Sequence, residues 1–198
     1  MGLGYTYAGT SGGSVVAEII TTLLAPVVTQ RGSDDIVATW EAMFQESLLI
    51  GRRGAVVRAM SAIDIALWDL AAKRADVPLA VLLGGSMQSL PAYASGGYYR
   101  QHPQGWAAAV ASEISASRAL GFTDHKIKVG GLTVQEDAMR VAAAVVAMEG
   151  IGRLALDANN AYGTGAEAQT AAEAFERAAG DTGLWWFEEP LSTEDVAG

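Results

Sequence analysis

Short apolar runs alternate with longer amphipathic runs through the second part of the chain. The apolar runs have the length of strands covered on both faces, and the runs between them repeat apolar positions at helical spacing. Glycines stand where these helices should end, at Gly121, Gly150 and Gly180. Strand–helix alternation with short loops predicts βαβ units and a parallel sheet. The predicted strands cover about 90–96, 124–129, 153–158 and 184–188, and the predicted helices about 103–120, 133–148 and 165–179.

The first 85 residues show mostly helical periodicity instead. A long helix is predicted over about 56–75, because apolar residues recur on one face there. The glycine pair in "LLGGS", 82–86, marks the change of pattern and predicts a domain boundary. We therefore expect one domain over 1–85 and a second over 86–198.

Three further predictions concern the N-terminal elements. The segment "GLGYTYAG", 2–9, has the pattern of a strand end that runs into a glycine turn. Ser14 is expected to cap a helix that Pro26 ends. Ser33 or Asp34 is expected to cap the next helix, which continues to about Leu48.

The composition excludes several classes of function. The chain is 51% hydrophobic and 18% charged, which is typical of a folded globular protein. Its net charge is −9 and it has no basic run, so a nucleic-acid partner is not expected. It has no cysteine, which excludes thiolate chemistry and fits a cytoplasmic location. The longest apolar run, 141–148, is far shorter than the roughly 20 residues that span a bilayer, so no membrane partner is expected.

Unusual polar residues recur at intervals of one strand-plus-helix unit. Lys128 lies 31 residues after Gly97, Asp157 lies 29 after Lys128, and Glu188 lies 31 after Asp157. Each therefore falls at the C-terminal end of a successive strand, which is where (β/α)₈ barrels place their chemistry. A doubly wound sheet uses such positions only near its switch point. The spacing favours a partial barrel with about its first four strands.

Lys126 and Lys128 are two residues apart on a predicted strand, so both point to one face. If that face lines a barrel, mutual repulsion and desolvation are expected to lower the pKa values of both lysines. A lysine in that state can act as a general base near neutral pH. The alternative is an edge strand with solvated lysines. His125 should face the other way, towards the surface or the helix layer.

Two further strands end in carboxylates. "RLALDANNAYG", 153–163, ends in Asp157, and Asn159 shares its face. "LWWFEEPL", 184–191, ends in Glu188 and Glu189, which alternation sends to opposite sides. Each carboxylate segment has an alternative interpretation. The residues after β-strand 153–158 could simply form a turn, and Glu188 and Glu189 could be exposed glutamates before a turn. Trp185 and Trp186 are expected to be core residues.

Together these side chains predict an oxygen-rich site for a hard cation beside two lysines. Mg²⁺ is held by a few carboxylates and leaves positions open for substrate oxygens. No histidine or cysteine set indicates zinc. A metal beside a desolvated lysine suits the removal of a proton α to a carboxylate, because the metal stabilises the enediolate charge that develops.

The motifs "KIK", "LDANN" and "WWFEEP" on consecutive strands resemble the enolase superfamily, and within it the mandelate racemase/muconate lactonizing enzyme group. The helical segment that ends in "LLGG" resembles the N-terminal capping domain of that family. The resemblance implies an α/β fold, with a partial (β/α)₈ TIM-type barrel preceded by a mostly helical α+β capping-domain remnant. It also implies a small carboxylate substrate and a homo-oligomer in the full-length protein.

The resemblance also implies roles for individual residues. Lys128 would be the base that takes the α-proton, and Lys126 its electrostatic partner close to the substrate carboxylate. Asp157 and Glu188 would be the first two magnesium ligands. Asn159 would contact substrate, and Glu189 would support the ligands from outside.

The sequences of the motifs "DANNAY" and "WWFEEPLS" most resemble those of family members that dehydrate sugar acids to 2-keto-3-deoxy acids. Racemases, epimerases and cycloisomerases share the first half of that reaction and stay as alternatives, as does a pseudoenzyme. The resemblance further implies a chain truncated at both ends. The third metal carboxylate and the second acid/base would lie beyond Gly198, and the 198-residue chain alone is expected to be inactive.

Overall fold

The computed structural model describes residues 1–9 and 11–195. The chain forms two compact units, the first over Met1–Ser89 and the second beginning at Leu90. The first unit is helical. It contains α1 (Gly13–Glu18), a π-helical turn (Ile19–Leu24), α2 (Ala25–Arg31), α3 (Ile36–Ser47), α4 (Ala55–Ala75) and α5 (Leu79–Leu82).

Helix α4 carries the core of the first unit. Met60 and Ala59 on α4 are fully buried with Leu24 and Met43 from the neighbouring helices. The helix ends as Asp76 takes a left-handed conformation with φ 54°. The long helix predicted over 56–75 is therefore confirmed.

Pro26 does not end the first helical stretch. It lies in the first turn of α2, directly after a π-helical turn, and the helical stretch continues to Arg31. The π-helical turn absorbs the change of hydrogen-bond pattern. Among the described residues, one helical stretch, Gly13–Arg31, is both long enough and apolar enough to cross a membrane, judged by length and composition. One such stretch is weak evidence of a membrane span, because core helices of soluble proteins and signal sequences pass the same test.

The strand predicted at 2–9 was also wrong, and the helix predicted to continue to about Leu48 is confirmed as α3, but with a different cap. Residues 2–8 form no strand; the backbone N–H of Leu3 donates to Asp69 Oδ2 on α4 at 2.6 Å, so the segment binds a helix instead of a strand. Asp35, not Ser33 or Asp34, caps α3, and its side chain accepts from the N–H of Ala38 at 2.9 Å. Ser33 and Asp34 bind Arg74 instead.

The second unit alternates strands and helices as predicted. Its strands are β1 (Tyr93–Gly96), β2 (Asp124–Lys128), β3 (Leu154–Asp157) and β4 (Phe187–Glu188), and its helices are α6 (Trp106–Ala119), α7 (Val134–Met148) and α8 (Gly165–Ala179). The strands form one parallel sheet in the order β1-β2-β3-β4. This sequential order is that of a (β/α) barrel, because a doubly wound sheet reverses its order at a switch point.

Strand register brings the strand ends to one level. Lys128 is the partner of Asp157 across β2 and β3, and Asp157 is the partner of Glu188 across β3 and β4. All four residues of β3 are buried, because helices cover the sheet. Local signals start two of those helices: Thr133 and Glu136 form a capping box on α7, and the Thr164 side chain caps α8. The sheet thus holds the polar strand ends on a packed support.

Two glycines before β3 allow a direct test of this packing. Gly150 and Gly152 both have positive φ, at 72° and 85°. A Cβ on Gly152 would lie 1.9 Å from the carbonyl oxygen of Thr123, whereas a Cβ on Gly150 would meet nothing within 4 Å. Gly152→Ala should therefore lower the free energy of unfolding by about 3 kcal/mol, through left-handed strain and the clash together.

Gly150→Ala is the matched control, because it has the strain without the clash. It should cost about 1 kcal/mol. Urea titrations of the two variants give both values. Equal losses would show that the Thr123 contact does not constrain the loop.

Candidate active site

Four of the predicted site residues meet at the C-terminal ends of β2, β3 and β4. Lys128 Nζ lies 2.5 Å from Asp157 Oδ2, and Lys126 Nζ lies 3.3 Å from the same oxygen. Lys126 Nζ also donates to Glu188 Oε1 at 2.7 Å. Both lysines therefore point to one face of β2, and Asp157 is the carboxylate that they share.

This cluster is largely withdrawn from water. The side chains of Lys126, Lys128 and Asp157 are 12%, 14% and 4% exposed, while Glu188 is 34% exposed. The two lysines need the carboxylates, because a buried ammonium without a partner is strongly destabilising. The edge-strand alternative does not hold, since β2 lies between β1 and β3.

The pKa of Lys126 is raised, not lowered as the sequence indicated. Burial lowers the pKa of Lys126, but the hydrogen bonds and charges of Glu188 and Asp157 raise it by more. For Asp157, burial raises the carboxyl pKa, but the bonds from Lys128 and from the backbone N–H of Asn159 lower it by more. Both shifts favour the charged forms. The sequence-based expectation counted repulsion between the lysines but not the carboxylates that face them across the strands.

An aromatic pair lies beside the cluster. The Trp186 indole N–H donates to Glu188 Oε2, so both oxygens of Glu188 are bound. The Tyr93 ring centroid lies 5.4 Å from that of Trp186 in an edge-on arrangement and 5.6 Å from Lys126 Nζ. Tyr98 is placed similarly, with its ring centroid 5.6 Å from Lys128 Nζ.

Trp186 was assigned to the core from the sequence, and its link to Glu188 was missed. The signal was available, because residues two apart on a strand share a face. Trp185 was also expected in the core but is 38% exposed. Its ring centroid lies 4.1 Å from that of Trp186 and 3.5 Å from the guanidinium carbon of Arg153.

Asn159 and Glu189 lie at the turns that follow β3 and β4. The Asn159 amide donates to Glu189 Oε2 at 3.1 Å, and its backbone N–H donates to Asp157 Oδ1 at 3.0 Å. Asn159, Asn160 and Glu189 all have positive φ, at 45°, 63° and 49°. The turns are therefore fastened to each other around Asp157, with the predicted substrate contact Asn159 bound to Glu189.

His125 is directed into the helix layer, one of the two positions expected for it. Its ring is 1% exposed, and its Nδ1 lies 3.2 Å from Ser117 Oγ on α6. Burial lowers the pKa of His125. The residue is separate from the lysine–carboxylate cluster.

The donor set suits magnesium in its chemistry. Asp157 and Glu188 supply carboxylate oxygens from neighbouring strand ends, and Mg²⁺ is commonly held by one or two carboxylates with the other positions left to water or substrate. Across residues 1–9 and 11–195, no group of three histidine, cysteine, aspartate or glutamate side chains is arranged to hold a metal. The site as described therefore offers two ligands beside two ammonium groups.

Comparison with known proteins identifies the family. Residues 1–84 match the mandelate racemase/muconate lactonizing enzyme N-terminal domain, and residues 109–198 match the enolase C-terminal domain-like family. The arabinonate dehydratase of Saccharolobus solfataricus is 33% identical over 179 residues, which are 90% of this chain and 46% of that protein. The 3,6-anhydro-alpha-L-galactonate cycloisomerase of Streptomyces coelicolor is 34% identical over 197 residues, which are 100% of this chain and 52% of that protein.

Solved structures agree with these matches. The crystal structure of L-talarate/galactarate dehydratase from Salmonella typhimurium LT2 has a TM-score of 0.82 and 31% identity, and the match covers 98% of this chain and 47% of that one. A mutant of an L-talarate/galactarate dehydratase has been solved with Mg and L-glucarate. The chain spans about half the length of the relatives that it matches. It belongs to the mandelate racemase/muconate lactonizing enzyme group of the enolase superfamily.

Proposed function

We propose that the full-length protein is a magnesium-dependent dehydratase that removes the α-proton of a sugar acid. The observation that carries the proposal is the meeting of Lys126, Lys128, Asp157 and Glu188 at aligned ends of three consecutive strands. The relatives named arabinonate dehydratase and L-talarate/galactarate dehydratase support the substrate class and the reaction. The dehydratase structure with Mg and L-glucarate supports the metal.

The two carboxylates and the two lysines have different proposed roles. Asp157 and Glu188 would hold the magnesium ion, which supplies positive charge to the substrate carboxylate and to the negative charge that develops when the α-proton leaves. Lys128, at the end of β2, accepts the α-proton on Nζ. Lys126, whose side chain reaches the same carboxylates, attracts the substrate carboxylate with its ammonium group. The β-hydroxyl group then leaves and takes up one proton to become water, which offsets the proton removed from the α-carbon. The enol that remains tautomerises to the 2-keto-3-deoxy acid.

Asn159 and Glu189 have supporting roles in this proposal. Their bond fastens the turn after β3 to the turn after β4, on either side of the shared carboxylate. The Asn159 side chain would meet the substrate after exchanging its bond to Glu189 for one to a substrate hydroxyl.

Cycloisomerisation, racemisation or epimerisation is the second candidate reaction. A relative named cycloisomerase matches the whole chain, and these reactions also begin with removal of an α-proton. They differ from dehydration in what happens afterwards, so the proposed roles of Lys128, Asp157 and Glu188 are common to all of them.

Lys128→Ala should abolish exchange of the substrate α-proton with solvent deuterium while Mg²⁺ binding persists. The reason is that Lys128 supplies the only nitrogen proposed to take this proton. The exchange is followed by proton NMR of sugar acids in D₂O with the full-length protein. Lys73→Ala is the control, because Lys73 pairs with Asp69 on α4 in the other unit.

Retained exchange in Lys128→Ala would remove Lys128 from the role of base. Absence of exchange in the wild-type protein, with every sugar acid in the set and saturating Mg²⁺, would favour the pseudoenzyme instead.

Trp186→Phe should weaken Mg²⁺ binding by roughly 10- to 100-fold, because residues that orient a metal ligand commonly contribute that much affinity. The substitution removes the N–H that Glu188 Oε2 accepts and keeps most of the aromatic volume. Isothermal titration with Mg²⁺ measures the effect. Trp185→Phe is the matched control, since it changes the neighbouring indole, 4.1 Å away between ring centroids, and leaves the bond from Trp186 to Glu188 in place. Equal affinities in the two variants would contradict the role of Trp186.

Product identity separates the candidate reactions. Incubation with a sugar-acid library should yield a 2-keto-3-deoxy acid, detected by its reaction with semicarbazide and by mass loss of one water. A product of unchanged mass with an inverted α-carbon would identify an epimerase or racemase. A ring-opened or ring-closed isomer would identify a cycloisomerase.

A further inference from the structure

A fully buried ion pair lies on α7, behind the end of β2. Asp137 and Arg140 are 0% and 1% exposed, and Arg140 Nη1 lies 2.5 Å from Asp137 Oδ1. Opposite charges at this spacing usually form a solvated pair on a helix surface, where they contribute little. Burying both charges is costly unless every remaining donor and acceptor finds a partner, so the partners of this pair show what it holds.

Arg140 holds the ends of two strands. Its Nη1 donates to the carbonyl oxygen of Lys128 at 2.8 Å, and its Nη2 donates to the carbonyl oxygen of Gly97. Lys128 is the last residue of β2, and Gly97 follows the last residue of β1. One guanidinium therefore ties both strand ends to α7, and one of its bonds is to the backbone of the proposed base.

Asp137 holds the loop that follows Lys128. Its Oδ2 accepts from the backbone N–H of Gly130 at 2.7 Å and lies 3.0 Å from the Tyr99 hydroxyl. The same hydroxyl accepts from the N–H of Gly131 at 2.7 Å. The guanidinium carbon of Arg140 lies 4.1 Å from the Tyr99 ring centroid, so the ring covers the ion pair.

Tyr99 stays protonated in this setting and can donate to Asp137. Burial raises the pKa of Tyr99 to about 12, and the charge of Asp137 adds to that rise. The hydroxyl thus donates to one partner and accepts from the other, which links the loop after β1 to the loop after β2.

We propose that Asp137, Arg140 and Tyr99 form a clamp that positions Lys128 for proton transfer. This inference rests on the proposed role of Lys128 as the base. The clamp fixes the backbone of Lys128 and of the residues after it, while Asp157 holds the far end of the same side chain. Proton transfer depends on such placement, since a displacement of about 1 Å can cost roughly 100-fold in rate. The three residues are positioning residues, because they act on Lys128 and not on the substrate.

A second ion pair provides a matched control on the same strand. Asp124, at the start of β2, binds Arg153 with Oδ2 2.6 Å from Nη2, and its Oδ1 accepts from the Arg153 backbone N–H at 2.8 Å. This pair also ties β2 to its neighbour, but at the end away from Lys128. A purely structural role for the clamp predicts similar effects at both ends of the strand, whereas a positioning role predicts a functional effect at one end only.

The test compares Arg140→Lys and Tyr99→Phe with Asp124→Asn by two measurements. The first is the NMR signal of ¹³Cε-labelled lysine in the 198-residue chain, with the Lys128 signal assigned by its loss in Lys128→Ala. The second is the steady-state rate of α-proton exchange in the full-length protein, with saturating Mg²⁺. Urea titration of each variant records its stability. Tyr99→Phe keeps the buried ion pair, so this variant still tests the clamp if Arg140→Lys does not fold.

We expect both clamp variants to shift the Lys128 signal and Asp124→Asn to leave it in place. In Arg140→Lys, kcat should fall by roughly 10- to 100-fold with KM within about twofold, because the loss is in alignment and not in binding. Tyr99→Phe should show the same split with a smaller fall, and Asp124→Asn should keep the wild-type kcat even where its stability is lower.

Three results would overturn the clamp. They are an unmoved Lys128 signal in the folded variants, an unchanged kcat despite a moved signal, and an equal fall of kcat in Asp124→Asn. Failure of the proposed function is a different result, because the wild-type protein would then show no exchange. In that case a Lys128 signal that moves in the clamp variants alone would still support positioning of Lys128 by the clamp.

Discussion

The candidate site depends on one shared carboxylate. Asp157 Oδ2 faces both Lys128 and Lys126, and Glu188 provides the second partner for Lys126. Without these carboxylates, two ammonium groups on one buried face would repel each other in a region that hydrates them poorly. The parallel register places the lysines beside the carboxylates, because it aligns the last residues of β2, β3 and β4. Fold and chemistry are therefore linked through the strand ends.

Much of this arrangement could be predicted from the sequence, because it depends on the regular spacing of strands, helices and polar strand ends along the chain. Alternation of strand and helix predicted the parallel sheet, and intervals of about one unit placed Lys128, Asp157 and Glu188 at strand ends. The direction of the Lys126 pKa shift could not be obtained that way. It depends on distances of 2.7 and 3.3 Å to carboxylates on other strands, and spacing along the chain carries no such distances.

The clamp was missed for a related reason. In the sequence, Asp137 and Arg140 have the spacing of an ordinary helix-surface pair. Only the tertiary structure shows that α7 turns this pair towards the strand ends and that the carbonyl of Lys128 and the N–H of Gly130 complete its bonds. The N-terminal errors have the same origin, since Leu3 binds Asp69 and Ser33 binds Arg74, both of which lie far away in sequence.

The bond between Trp186 and Glu188 has a consequence for light emission. The emission of an indole ring depends on the electric field around it, and here the indole N–H donates to a proposed ligand of the metal. Whatever binds to Glu188 changes the field at that ring. The chain has five tryptophans, and Trp186 is the one whose indole N–H donates to Glu188. Binding at Glu188 is therefore expected to change the emission of Trp186, together with that of Trp185, whose ring centroid lies 4.1 Å away.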